Sequence, residues 1–362
     1  MHLEKIQVED FRNLKSVSVE LHPELNLIYG DNGSGKTSFI ESIHYLGFGR
    51  SFRTRKPKSV ISLGQSVFTV YGQLNNDNSS IPVGISKYSD QRTKIRIDGK
   101  DIDRVSDMVK LCPMQLYTPQ STELLTGSPA FRRSYIDWGL FHVEQSFLTD
   151  YTRFKRALTQ RNALLKNTQS GKIELDFWSN EYIGGGLIID EHRLSNFEKL
   201  VPYITRYLKQ FLNSFDVQID LYRGWDSSTS LQDAVQGNFE KDRKFGFTQS
   251  GPHKADLRLK VDKKPITEFF SRGQLRLTSV ALQLAQAHFL KDTKAANCIF
   301  LIDDLSAELD SKARSAFMEA VTNLGSQLVV SAIDKNDFGE FYQYENKKVF
   351  HVEQGEVNEE TY

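Results

Sequence analysis

The segment Gly30-Asp31-Asn32-Gly33-Ser34-Gly35-Lys36-Thr37 constrains this chain more than any other. It fits G-x-x-x-x-G-K-[ST], and each residue type has a physical reason for its place. Glycines let the backbone curl so that successive N–H groups converge on one point, and the helix that follows adds its positive end. The lysine meets phosphates as a point charge, and the hydroxyl after it is a magnesium ligand. The flanks supply the context that such a loop requires. Leu25–Tyr29 is a short apolar run, hence a buried strand, while Phe39, Ile40, Ile43 and Leu46 recur at helical spacing. Strand, loop and helix predict a triphosphate cradle built by Gly30, Asp31, Asn32, Gly33, Ser34, Gly35, Lys36, Thr37 and Ser38.

A cradle alone does not hydrolyse; it needs a second magnesium ligand and a group that activates water. Cys298-Ile299-Phe300-Leu301-Ile302-Asp303-Asp304 supplies both at the end of an apolar run. Asp303 is expected to hold Mg²⁺, and Asp304 to act as general base, with Lys36 as its catalytic partner on the phosphates. Elsewhere, alternation around Ile6, Val8, Phe11, Val17, Val19 and Leu21 predicts a hairpin turning at Arg12–Lys15. Short β-like runs follow as far as residue 117. From Gly127-Ser128-Pro129 to about Phe215 the pattern is helical, with Gly171 and Gly184-Gly185-Gly186 expected to divide it into several helices. The Phe147, Tyr151 and Phe154 stripe reads as core. Helix, strand, helix and strand then alternate from Gln274 to Ala332. The plan is an α/β domain split by a helical insertion of about 90–100 residues.

Composition excludes several classes. Hydrophobic residues make up 39% and charged residues 25%, which is globular rather than disordered. No apolar run approaches the ~20 residues that cross a bilayer, and Met1–Asp10 is unlike a signal peptide. Cys112 and Cys298 lie in apolar stretches and suit a reducing, cytoplasmic setting. The 46 Lys+Arg balance 46 Asp+Glu, which at first argues against nucleic acid. The distribution is uneven, however. Arg50, Arg53, Arg55, Lys56 and Lys58 crowd into nine residues that contain no acid, and five phosphate contacts would give a log–log salt slope of about −4.5. Phe52 among them is a candidate stacking platform. Arg132, Arg133, Arg153, Lys155, Arg156 and Arg161 form a second cluster, readable as a solvated face or as a DNA surface. His253 is a lone histidine, as fit for a structural hydrogen bond as for catalysis.

Ser271-Arg272-Gly273-Gln274, ahead of an amphipathic helix and upstream of Asp304, resembles the signature of ABC-type ATPases. There the serine and the helix-end amides contact the γ-phosphate held by a second subunit. Ser306–Asp310 matches the loop that crosses such a dimer. A closer resemblance rests on Asp10-Phe11-Arg12-Asn13-Leu14, Gly49-Arg50-Ser51-Phe52-Arg53-Thr54, Arg132–Gly139, Ser250–Leu257 and the signature itself. Together these resemble the RecF family of bacterial recombination mediators, related to SMC-type ATPases, from Met1 to about Ala332.

The resemblance implies an ABC-type P-loop ATPase head, a mixed sheet with helices, interrupted by a helical insertion domain. Residues 1–126 and 236–362 would form the ATPase domain and 127–235 the insertion. It implies ATP and Mg²⁺ as cofactors and slow hydrolysis that serves as a conformational clock. It also implies an ATP-dependent homodimer on gapped or junction DNA, single- and double-stranded. RecR would be a partner, with RecO and RecA downstream, and no membrane. Arg12 and Asn13 would lie near the phosphates, Thr37 and Asp303 on the metal, and Ser271, Arg272, Gly273 and Gln274 across the dimer.

Two departures from the wider ABC pattern stand out. The base is Asp304, one methylene shorter than glutamate. Where a switch histidine is expected the chain has Ser331-Ala332-Ile333-Asp334. Gln115 and Gln120 fit the Q-loop equally. The runner-up function is the ATPase subunit of an ABC transporter, disfavoured by the missing histidine and by Phe11-Arg12-Asn13.

Overall fold

Period-two burial in the first twenty residues folds them into an antiparallel hairpin, in which Phe11 pairs with Leu14 across a two-residue turn. The structure, a computed structural model, describes residues 1–76, 79–167, 171–304 and 311–360. In chain order its strands begin with β1 (His2–Phe11), β2 (Leu14–Glu20), β3 (Leu25–Tyr29), β4 (Val67–Asn76), β5 (Ser79–Tyr88), β6 (Thr93–Ile97), β7 (Lys100–Ile102) and β8 (Met114–Tyr117). There follow β9 (Gln218–Tyr222), β10 (Asp256–Val261), β11 (Lys264–Pro265), β12 (Ile299–Ile302), β13 (Gln327–Ala332), β14 (Lys347–Glu353) and β15 (Glu356–Glu359). The chain clusters into two compact units, Met1–Ser121 with Arg276–Tyr362, and Thr122–Leu275.

In the first unit, one sheet runs β2-β1-β4-β5-β6-β7 and is antiparallel throughout. The other runs β15-β14-β3-β13-β12-β8, five parallel strands with β15 antiparallel at the edge. This is the mixed sheet expected of an ABC-type head. β12 and β13 are buried at every position, as parallel strands covered on both faces must be. The Lys36–Phe48 helix inserts Phe39, Ile40, Ile43 and Leu46 into a core shared with Leu3, Ile6, Leu301 and Val329. Buried Gln327 ties the two sheets: its side chain accepts from the Leu3 N–H and donates to the Leu3 carbonyl, both at 2.8 Å. The β14–β15 hairpin lies beyond the segments read as strands from sequence, yet it pairs directly with β3.

The second unit is built on helices Pro129–Val143, Phe147–Lys166 and Lys172–Phe211, with the antiparallel sheet β11-β10-β9. The triple glycine does not end a helix, contrary to expectation. It lies inside the 40-residue Lys172–Phe211 helix. A side chain on Gly186 would sit 2.9 Å from Leu231, and one on Gly185 would just touch the Phe154 backbone at 3.4 Å. Close packing explains Gly186, whereas Gly184 faces open space. Phe147 and Phe154 are buried, as the core reading of that stripe requires. Residues 236–275, expected with the C-terminal part of the head, cluster with this unit instead. β10 pairs along its length with β9, and Asp242 is locked inside against Arg161. Among the described residues no helix is long and apolar enough to cross a membrane.

The Arg161–Asp242 pair is 2.8 Å apart and essentially fully buried. Removing one member of such a pair leaves the other charge without compensation. Arg161→Met should therefore lower the unfolding free energy by about 3–5 kcal/mol in urea titration. The double variant Arg161→Met/Asp242→Leu should recover most of that loss. Equal losses in the two variants would assign the cost to packing rather than to charge.

Candidate phosphate-binding site

The glycine-rich loop leaves β3 at Tyr29 and enters the Lys36–Phe48 helix, as its sequence demands. Gly30 has φ +153°, and a side chain there would lie 2.2 Å from the Val352 carbonyl oxygen, so only glycine fits. The loop rests on the β14–β15 hairpin, where the Gly355 N–H donates to the Ser34 carbonyl at 2.8 Å. Asn13, in the β1–β2 turn, holds it from the other side. Its Nδ2 donates to the Ser34 carbonyl at 3.2 Å and its Oδ1 accepts from Ser38 Oγ at 2.7 Å. Lys36 Nζ donates to the carbonyls of Gly30 and Asp31 at 2.6 and 2.9 Å. Burial holds its pKa below the usual lysine value, against the pull of Asp303, Asp304 and Asp31.

Parallel pairing brings the far partners to the same edge. Ile28 pairs with Ser331, and Ile302 with Val330, so β3, β12 and β13 all release their chains beside the loop. Asp303 Oδ1 accepts from Thr37 Oγ1 and from Ser331 Oγ, each at 3.0 Å. Burial pushes the Asp303 carboxyl above the usual carboxylate range; the two hydroxyl donors counter this, and the nearby Asp304 charge adds to it. Asp304 follows at φ +64°, a left-handed conformation that aspartate tolerates better than most residues, and its N–H donates to Ser331 Oγ at 3.0 Å. Ser331 therefore bridges both acids from the place where no histidine stands. Sequence reasoning recorded that position only as an absence.

Glu41 was also missed. It is fully buried on the helix after the loop and receives a two-pronged grip from Arg12, Nε at 3.0 Å and Nη2 at 2.8 Å. Arg12 Nη1 donates onward to the Ser59 carbonyl at 2.7 Å. Ser51 Oγ donates to the same carboxylate, and Arg53 stands 3.6 Å from it. The signal was the one acid of that helix, set between Ile40 and Ile43. Arg12, Asn13, Lys36, Thr37, Arg53, Asp303, Asp304 and Ser331 line one cleft of about 570 Å³.

Of the five basic residues assigned to DNA, Arg53 thus faces the phosphate cleft. Arg50, Arg55, Lys56 and Lys58 are exposed. Phe52 is not a free platform: it packs edge-on against His44 at 5.2 Å, beside the core. Neither Gln115, buried in β8, nor exposed Gln120 is among the described residues lining the cleft. Ser306–Asp310 lies outside the described residues.

In the second unit, Ser271–Gln274 opens the Arg272–Lys294 helix with a reciprocal cap. The Ser271 N–H donates to Gln274 Oε1 at 2.8 Å, and the Gln274 N–H donates to Ser271 Oγ at 3.3 Å. Ser271, Arg272 and Gly273 are exposed. The second basic cluster is divided: Arg132 grips Asp256, Arg153 grips Glu181 and Arg161 is buried on Asp242, while Lys155 and Arg156 are exposed beside the Tyr151 and Trp178 rings. Arg133 donates to the Ala255 carbonyl at 2.8 Å. His253 is structural, its ring nitrogens 3.0 Å from Tyr182 Oη and 2.9 Å from the Thr248 carbonyl oxygen, and burial lowers its pKa to about 4.

Residues 2–358 match the family described as RecF/RecN/SMC N terminal domain. The DNA replication and repair protein RecF of Pseudoalteromonas atlantica (strain T6c) is 42% identical over 363 residues, with both chains covered in full. Among solved structures, the recombination mediator protein RecF-ATP in the RecFOR pathway gives a TM-score of 0.89 at 23% identity, covering 99% of this chain and 98% of that one. The Smc head bound to the C-winged helix domain of ScpA gives 0.61 at 15% identity, covering 99% and 97%. These structural likenesses establish the ABC-type head fold. The full-length likeness to a replication and repair protein sets aside the transporter subunit. The chain belongs to the RecF family, within the RecF/RecN/SMC group.

Proposed function

We propose that this protein is an ATP-gated, DNA-binding mediator of recombination and repair, dimerising on ATP at gapped or junction DNA and acting with RecR, RecO and RecA. One observation carries the reading. Lys36, Thr37, Asp303, Asp304 and Ser331 converge at the carboxyl edge of the parallel strands, where open α/β sheets hold their ligands.

The residues fit a magnesium nucleotide. Thr37 Oγ1 and Asp303 Oδ1 are hard oxygen donors 3.0 Å apart, and the carboxylate carries a burial cost that a cation would relieve. No cluster of three metal-ligating acids, histidines or cysteines occurs among the described residues. Magnesium needs none, since one or two carboxylates with substrate phosphates suffice. Bound ATP–Mg²⁺ would supply the phosphoryl group and neutralise its developing charge. Lys36 would exchange the Gly30 and Asp31 carbonyls for phosphate oxygens. Asp304, its backbone pinned by Ser331, would hold the attacking water as general base. Arg53 adds a cation on the same wall, and Arg12, committed to Glu41, stiffens the turn carrying Asn13. Ser271 and the amides of its helix end would reach the γ-phosphate of a second copy, and Arg50, Arg55, Lys56 and Lys58 would meet DNA phosphates.

Sedimentation on a gapped duplex should show a dimer with ATP–Mg²⁺ and none without it. Lys36→Ala should lose both nucleotide binding and the dimer. Ser271→Arg should lose only the dimer, and loss of nucleotide binding in that variant would overturn the trans role. Asp304→Asn should cut phosphate release by about 10²–10⁴-fold and trap the dimer; normal turnover would remove Asp304 as base. A further outcome follows from the sign of the Asp303 shift. Its pKa is raised in the fold, so the ionised carboxylate costs stability above its usual range, and the cost fades as pH falls and the group takes a proton. Asp303→Asn should therefore raise the thermal midpoint without magnesium and abolish the further rise that ATP–Mg²⁺ gives the parent. A lowered midpoint would contradict this account.

A further inference from the structure

Two exposed phenylalanines in the second unit stand apart from every role above. Phe245 ends the Phe239–Phe245 helix and is 58% exposed; Phe247, two residues on, is 40% exposed. Their ring centroids lie 6.2 Å apart. Cations surround them. Lys244 Nζ sits 5.9 Å from the Phe245 centroid and Lys254 Nζ 5.1 Å from that of Phe247. Lys166 runs beside the glycine between them, its Cγ 2.9 Å from where a Gly246 side chain would begin. Lys241 and Arg243 are exposed on the same short helix. Of the two acids in this stretch, Asp242 is buried on Arg161, which leaves Glu240 at the surface.

The backbone beneath is held by hydrogen bonds. Gly246, at φ +72°, reverses the chain so that both rings face outward, and the Gly246 and Phe247 N–H groups donate to the Asp242 carbonyl at 2.8 and 3.2 Å. Next along the chain, Thr248 is buried, its N–H bound to Asn162 Oδ1 at 2.9 Å and its carbonyl oxygen 2.9 Å from His253 Nε2. That histidine fixes the turn bearing Lys254. Together the two rings expose an apolar patch rimmed by lysines, the kind of surface that marks an interaction site, and their contacts with Lys244 and Lys254 leave most of Phe245 open to solvent.

We propose that Phe245 and Phe247, with Lys166, Lys244 and Lys254, form a stacking platform for single-stranded nucleic acid. Unpaired bases offer π faces to the two rings while the lysines meet the adjoining phosphates, the combination that sequence-tolerant single-strand binders use. A duplex keeps its bases stacked on one another and gains only the lysines. The platform rests on the DNA-binding reading above and adds to it a surface for the unpaired strand of a gap.

The test is fluorescence anisotropy of the full chain with ATP–Mg²⁺, using labelled 20-nucleotide oligo-dT and a 20-base-pair duplex. Phe245→Ala/Phe247→Ala removes two exposed rings and should weaken oligo-dT binding about tenfold or more, while duplex binding and ATP turnover stay unchanged. Phe247→Trp should keep oligo-dT affinity and show fluorescence quenching beyond that of the parent as the strand binds. Lys166→Ala/Lys244→Ala/Lys254→Ala should reduce the log–log salt slope on oligo-dT by about 2. Unchanged oligo-dT affinity in the double phenylalanine variant, or an equal loss on duplex, overturns the platform. If the parent binds neither probe nor a gapped duplex, the DNA-binding reading itself fails.

Discussion

One oxygen of one carboxylate holds the cleft together. Asp303 Oδ1 accepts from Thr37, on the helix after the loop, and from Ser331, at the end of β13, while Asp303 itself directly follows β12. Thr37 lies 266 residues before Asp303, and Ser331 28 residues after it; they meet because β3, β13 and β12 run parallel and side by side. Parallel order requires crossovers, so the sequence between these strands is free to become something else, and here it becomes a second compact unit. The fold's commitment to burying those strands on both faces is thus what places the chemistry at their ends.

That arrangement explains what was legible. The loop, the two acids and their flanking strand and helix could be read because each is local: the residues that matter are neighbours in sequence, and the spacing is set by backbone geometry. Ser331 and Glu41 were not read, because their meaning lies in contacts that no spacing encodes. A serine after a strand is ordinary until the strand is known to lie beside β12. The triple glycine misled for a related reason. Glycine weakens a helix locally, by about 1 kcal/mol relative to alanine, and the sequence shows only that penalty. The compensation at Gly186 is close approach to Leu231, distant in the chain.

Charge was the least reliable sequence signal. The basic residues of the second cluster looked like one surface, yet Arg161 is fully buried and Arg132 and Arg153 each grip an acid. Counting cations along a sequence cannot tell a guanidinium spent on an internal carboxylate from one offered to solvent. Arginine is the residue most prone to this error, since its planar fork suits buried carboxylates. Lysine is not, and the cations beside Phe245 and Phe247 are lysines on solvent-facing stems.

The same distinction reframes the formal net charge of zero. Each buried arginine–carboxylate pair removes one charge of each sign from the surface, so the total stays balanced while the exposed pattern changes. Glu41 absorbs Arg12, and Asp242 absorbs Arg161, both inside the fold. What remains is uneven by position: acid at buried Asp303 and half-buried Asp304 in the cleft, exposed lysine and arginine at Arg50–Lys58 and around Phe245. A polyanion senses potential within about a Debye length, roughly 8–10 Å at physiological salt, not the sum over the chain. Neutrality is therefore no obstacle to binding DNA. It keeps attraction weak except where the exposed cations are gathered, and in the proposed dimer two such sets would act together.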